Sequence, residues 1–159
     1  MKHTVRILIG LSLVLSVLLP LTIASAKPTR IDFTGSEWCD PNTFVYTREW
    51  WDGDNYHARG ISQTCYDTAT IPQMTGMDYL HDSRLDAFDN FAQMKMSGKL
   101  NFVSDEGGEW VATWKLPLDS ETITVIGHGK GIYKGLELRW FLKLDGSFHG
   151  YILDPGSDH

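Results

Sequence analysis

Only two cysteines, Cys39 and Cys65, occur in the chain, and a metal site needs more ligands than that. His57, His81 and His128 are scattered, with no H-x-H and no H-E-x-x-H, so no metal centre is expected. Asp78, Asp82, Asp86 and Asp89 lack the D-x-D-x-D-G order of a calcium loop, and "DGDN" at Asp52 to Asn55 reads as a hairpin turn. There is no G-x-S-x-G, and no Ser or Cys stands in a nucleophile context. Basic residues are also short, with 14 Lys and Arg against 20 Asp and Glu, for a net charge of -6. An excess of that sign repels phosphate backbones and anionic membranes, so nucleic acid is not an expected partner. Nothing in the sequence calls for a cofactor.

What is present begins with Lys2 and Arg6, an apolar block from Ile7 to Leu19, and small residues at Ala24 to Ala26 before Lys27. That order is a secretory signal peptide over residues 1–26. The block is shorter than a bilayer span and ends at Pro20, so no membrane span is expected once it is removed. The remaining 133 residues (159 less 26) suit one domain, 27–159. Losing Lys2 and Arg6 leaves 12 basic against 20 acidic residues, a net charge of -8. The expected location is secreted, either extracellular or periplasmic. In such an oxidising compartment Cys39 and Cys65 are expected to be bridged. The closed loop of about 25 residues would contribute about 3 kcal/mol in the chain-entropy account.

Period-two alternation marks strands. Met94, Met96, Gly98, Leu100 and Phe102 share one face, as do Trp110, Ala112, Trp114 and Leu116, and then Leu136, Leu138, Trp140, Leu142 and Leu144. Turn residues at 104–108, 118–121 and Asp145-Gly146 join these into hairpins through a strand at 122–126. Upstream strands are expected at 31–37, 44–51 and 56–64. The stretch 66–90 holds no period, and reads as a long loop with a short strand near 77–80 and a helical turn or two around 83–88. About eight short antiparallel strands need a shared core without exposed edges, which predicts an all-β fold. A single barrel meets that need, and a two-sheet sandwich is the alternative.

The stretch "GHGKGIYKGL", Gly127 to Leu136, raises a phosphate-binding loop as a question. A dinucleotide fingerprint needs G-x-G-x-x-G opening a helix, whereas the spacing here is G-x-G-x-G before an alternating run. A P-loop needs Gly where Thr124 stands and Ser or Thr where Gly131 stands. The glycines are therefore assigned to a strand end kinked at Gly127 and Gly129, a tight loop, and re-entry at Gly135. Together with "GEWVATW" (108–114), "SGKLNF" (97–102) and "NYHARG" (55–60), the string resembles a loose group of small secreted bacterial proteins of unknown function. Its G-x-G-x-Y-x-G-L portion is similar to a segment of the allene oxide cyclase and dirigent barrel superfamily. The resemblance covers roughly Asn55 to Arg139 without 66–90. It implies a β-barrel, and the cyclases' catalytic residues find no match here.

If Asp145-Gly146 closes a two-residue hairpin, Leu142 faces His149 and Trp140 faces Tyr151. Trp110, Trp114, Trp140, His149 and Tyr151 would then point inward together. Such a cluster is either a filled core, a cavity for a small apolar or aromatic molecule, or a site where His149 acts in catalysis. Arg48 and Arg59 flank the 51–55 turn, where they either form outward salt bridges or, beside Trp50 and Trp51, meet a carboxylate or sugar. Three function classes follow: a non-catalytic ligand binder, a cyclase- or isomerase-like enzyme working inside the barrel, and an envelope interaction module. No catalytic set is assigned, and the oligomeric state is left open.

Overall fold

A computed structural model describes residues 27–156. The expected signal peptide lies outside the described residues. Nine strands form one antiparallel sheet: β1 Thr29–Cys39, β2 Arg48–Asp52, β3 Asn55–Ala69, β4 Gly76–Phe88, β5 Gln93–Ser104, β6 Glu109–Leu116, β7 Thr122–Lys130, β8 Glu137–Lys143 and β9 Ser147–Asp154. Their order is β1-β9-β8-β7-β6-β5-β4-β3-β2, and β1 also pairs with β3. That second pairing closes eight strands into a barrel-like ring, which selects the ring over the two-sheet sandwich. Closure removes the free edges that an open sheet of alternating strands would expose.

β3 makes the ring possible through its length. One edge of β3 pairs with β2 over residues 55–59 and with β1 over 65–69, while the other edge pairs with β4 throughout. β2 is therefore a flap outside the ring. The strand expected at 44–51 narrows accordingly: Pro41–Thr43 is a 3-10 turn capped by Asp40, and only Arg48 onward joins the sheet, apart from a bridge between Val45 and Ser62.

Residues 66–90 are corrected most. They are the end of β3, a 3-10 turn at Pro72–Met74, and the whole of β4, with strand geometry where a helical turn was expected at 83–88. Period two fails there because β4 is bulged between His81 and Arg84, with Asp82 at φ 51. Its buried positions also include Asp78, Ser83 and Asp86, which hydrophobic patterning scores as surface.

The ring is filled along β5 to β9. Trp140 meets Phe148 and Phe102 edge-on at 5.1 and 6.5 Å, and Trp110 stacks on Tyr133 at 5.1 Å. The glycine stretch places Tyr133. β7 runs through Gly127 and Gly129 to Lys130, Gly131–Tyr133 is a 3-10 turn, and a Cβ on Gly129 would overlap the Tyr133 carbonyl. Tyr133 hydroxyl bonds Ser104 at 2.8 Å, and Trp110 Nε1 donates to the Gln73 carbonyl at 3.1 Å. Met74, Trp110 and Tyr133 thus cap one end of the ring, all of them buried.

Candidate binding cavity

The site follows from one cross-strand pair. Cys39 lies opposite Cys65 and the two are disulfide-bonded. In an antiparallel pair, residues two steps away on each strand also face one another and share the same side of the sheet. Glu37 therefore stands opposite Asp67, on the inner face with the disulfide. On the next strand, Asp78 lies opposite Cys65. Three neighbouring strands thus bring three carboxyl groups together, with one ligand atom from each within 4.8 Å of the others.

The electrostatics of this arrangement are severe. Asp67 is 3% exposed and Asp78 0%, and no side chain donates a hydrogen bond to either carboxyl. Glu37 Oε1 lies 3.4 Å from Cys39 Sγ, which, being disulfide-bonded, has no hydrogen to donate. Burial, with the charge of Asp78, raises Glu37 to about 8. Burial, with the charges of Asp78 and Glu37, raises Asp67 to about 10. Burial raises Asp78 to about 7, opposed in part by the nearby main chain of Asp78 and Cys65. Ionising all three at once without a counter-charge is strongly unfavourable.

Glu37, Gln63 and Asp78 are the polar side chains lining a cavity of about 170 Å³. Its other walls include Leu80, Leu100, Val125 and Leu142, with the indoles of Trp114 and Trp140. Both indole N–H groups are buried and without partners. The space is therefore lined mainly by apolar groups, with two carboxyls and Gln63 among them, and it lies beside buried polar atoms that have no partner. That is the composition of a small-molecule pocket, in which a few polar groups orient an apolar body.

The five aromatic and histidine residues expected inside separate into three places. Trp114 and Trp140 line the cavity. Trp110 is buried but belongs to the end cap, away from it. His149 and Tyr151 are corrected to the outer face. Phe141 pairs with His149 and Arg139 with Tyr151, while Trp140 faces Gly150. His149 is exposed and stacks on Phe141 at 5.3 Å, and Phe148 and Ile152 are buried in its stead. The turn explains the shift. A two-residue I′ hairpin needs positive φ at both central residues, but only Gly146 has it, at 83°. The loop instead takes three residues, with Gly146 N–H donating to the Lys143 carbonyl at 3.0 Å, and Leu144 swings out to 59% exposure. A one-residue change in loop length moves every following side chain to the opposite face.

Arg59 and Arg48 are occupied outside the ring. Arg59 bonds Asp86 at 2.6 Å and the carbonyls of Ala58 and Leu85, while Arg48 and Arg59 lie over Trp50 at 4.7 and 5.0 Å. His57 completes this cluster at 2.7 Å from Asp86. Burial acts to raise Asp86, but the hydrogen bonds from His57 and Arg59 outweigh it and hold the carboxyl below its usual range. Trp51, Tyr56 and Phe91 form an adjoining aromatic group.

The carboxyl cluster carries no hydrophobic signal, so patterning passes over Glu37, Asp67 and Asp78. The available clue is positional: Glu37 precedes Cys39 by two and Asp67 follows Cys65 by two. A cross-strand disulfide between these cysteines forces the two carboxylates face to face. No family model matches the chain, and no curated protein or solved structure matches it.

Proposed function

We propose that the protein is a non-catalytic binding protein for a small apolar or aromatic molecule, held inside the ring between Trp114 and Trp140. The observation that carries this reading is the incomplete filling of the interior beside buried polar groups that lack partners. Leaving such groups unpaired costs about 1–3 kcal/mol each, a cost that a bound molecule bearing matching groups would offset. The disulfide supports residence in an oxidising compartment, in agreement with the leader expected at residues 1–26. Among the described residues no helix is long and apolar enough to cross a membrane.

The test combines native mass spectrometry of the disulfide-bonded protein with titrations of benzene-sized molecules followed by tryptophan emission. A co-purifying small molecule, or a saturable emission change from Trp114 and Trp140, is expected. Absence of both across neutral and charged probes would overturn the reading.

A second reading is favoured by the raised carboxyls. Glu37 at about 8 and Asp78 at about 7 lie in the range where a general acid or base works at neutral pH, on the wall of an apolar cavity. A cyclase- or isomerase-like activity would use that. Recovering the bound molecule after incubation in D2O separates the two readings. Deuterium incorporated at carbon, and lost in Glu37→Gln, supports proton-transfer chemistry, whereas an unlabelled ligand supports simple binding.

A further inference from the structure

Resting on the binding reading, we propose that the ligand is a monocation: a primary ammonium group on an apolar body about the size of one aromatic ring, its nitrogen seated among Glu37, Asp67 and Asp78. Three acceptors placed around an ammonium nitrogen at about 2.8 Å stand about 4.6 Å apart, from tetrahedral geometry and ordinary charge-assisted bond lengths. The three carboxyls offer atoms within 4.8 Å of one another. Glu37 and Asp78 are on the cavity wall, and Asp67, though not on it, is within that same reach.

Independent support comes from the groups outside the acid cluster. The indoles of Trp114 and Trp140 line the same space. Aromatic walls also suit a cation, whose charge is attracted to the ring faces. Among the described residues, the ion pairs involve Asp32, Asp82 and Asp86, and none reaches Glu37, Asp67 or Asp78. The acids thus lack a protein counter-charge, and an incoming cation would supply one.

The rest of the wall argues for an organic cation over a bare metal ion. Calcium takes six to eight oxygen ligands and magnesium six. Beyond the carboxyls the cavity offers the Gln63 side chain, the disulfide, aliphatic groups and indoles. Its volume of about 170 Å³ is close to the roughly 150 Å³ apolar cavity known to accept benzene. An arylalkylamine or a short alkylamine fits that volume, with an ammonium for the carboxyls and an apolar body for the rest of the lining.

The test titrates the disulfide-bonded protein at pH 7.0, roughly neutral, with benzylamine, phenethylamine and hexylamine, with benzyl alcohol as the neutral isostere, and with calcium and magnesium chloride. Binding is read by calorimetry and tryptophan emission. At least one amine is expected to bind about 10-fold or more tightly than benzyl alcohol, a factor of ten being about 1.4 kcal/mol. Asp78→Asn and Glu37→Gln are each expected to erase most of that preference. Benzyl alcohol binding as well as the amines would overturn the cation assignment and leave the binding reading standing. Saturable binding of calcium or magnesium without the amines would overturn it in favour of a metal site. Failure of every organic probe would overturn the assignment and the binding reading together. The comparison of amine with alcohol is made on the unmodified protein, so it does not depend on how the variants fold.

Discussion

The two sides of the ring interior are built on opposite principles. Along β5 to β9 the inner face is nearly all apolar, and Phe102, Trp110, Leu138 and Trp140 are fully buried. Along β1, β3 and β4 it carries Glu37, Gln63, Asp67 and Asp78 around a disulfide. The first side holds the fold through area removed from water and close ring contacts. The second side opposes folding through unpaired carboxyls, and it is tied by a covalent bond at the point where the carboxyls crowd. A protein selected only for stability would fill the acidic side with aliphatic groups, since a buried unpaired polar group is a net cost. Glu37 and Asp78 border the cavity, and most of its remaining lining comes from the apolar side.

Trp140→Ala tests the apolar side and should have the largest effect. Trp140 is fully buried against Phe102 and Phe148, so truncation should cost about 3–5 kcal/mol in denaturant unfolding. A cost below about 1 kcal/mol would mean that this side is loosely packed and that the contrast is false. Next comes the disulfide. The Cys39→Ala, Cys65→Ala double variant should lose about 3 kcal/mol, as judged from the 26-residue separation. An equal melting temperature in both proteins would show that β1–β3 closure stands without the covalent tie.

The acidic side should also be visible in the pH dependence. Glu37, Asp67 and Asp78 have folded-state values raised to about 8, 10 and 7 from ordinary values near 4. Between those limits the folded state binds more protons than the unfolded one, so stability falls as pH rises. Asp86, held low by His57 and Arg59, acts in the opposite sense: its contribution is present above the ordinary range and lost as pH falls through its lowered value. Melting scans should therefore peak near pH 4–5, roughly, and decline toward pH 8. Asp67→Asn should flatten that decline and raise stability at about pH 8 by on the order of 1–3 kcal/mol. A profile that climbs from about pH 5 to 8 would show the carboxyls to be compensated.

His149→Ala should do least. The side chain is exposed on the outer face, so stability should change by less than about 0.5 kcal/mol, with the emission response to ligand unchanged. A lost response would return His149 to the interior and break the inside-to-outside assignment of β9.

How much was legible depended on which side of the ring a residue occupies. In β5, β6 and β8 every second residue is apolar, and the structure buries Leu100, Phe102, Trp110, Trp114, Leu138 and Trp140 as that alternation requires. β4 was illegible because its inward residues include Asp78 and Ser83 and because the bulge at Asp82 resets the period within one strand. The candidate site is half legible: alternation finds Trp114 and Trp140, whereas the carboxyls meet only through the pairing of β1 with β3, which sets Glu37 opposite Asp67, and of β3 with β4, which adds Asp78.

The sequence by itself determined the all-β class, the pairing of Cys39 with Cys65 and the inward faces of β5, β6 and β8. These follow from side-chain alternation and from having only two cysteines, both local or compositional facts. Tertiary structure alone decided the closure of β1 on β3, the three-residue turn that set the facing of His149, and the gathering of Glu37, Asp67 and Asp78. Register is the physical reason. A slip of one residue at a turn or bulge exchanges the two faces of a strand, and its choice depends on backbone φ values and partner strands that no single stretch of sequence contains.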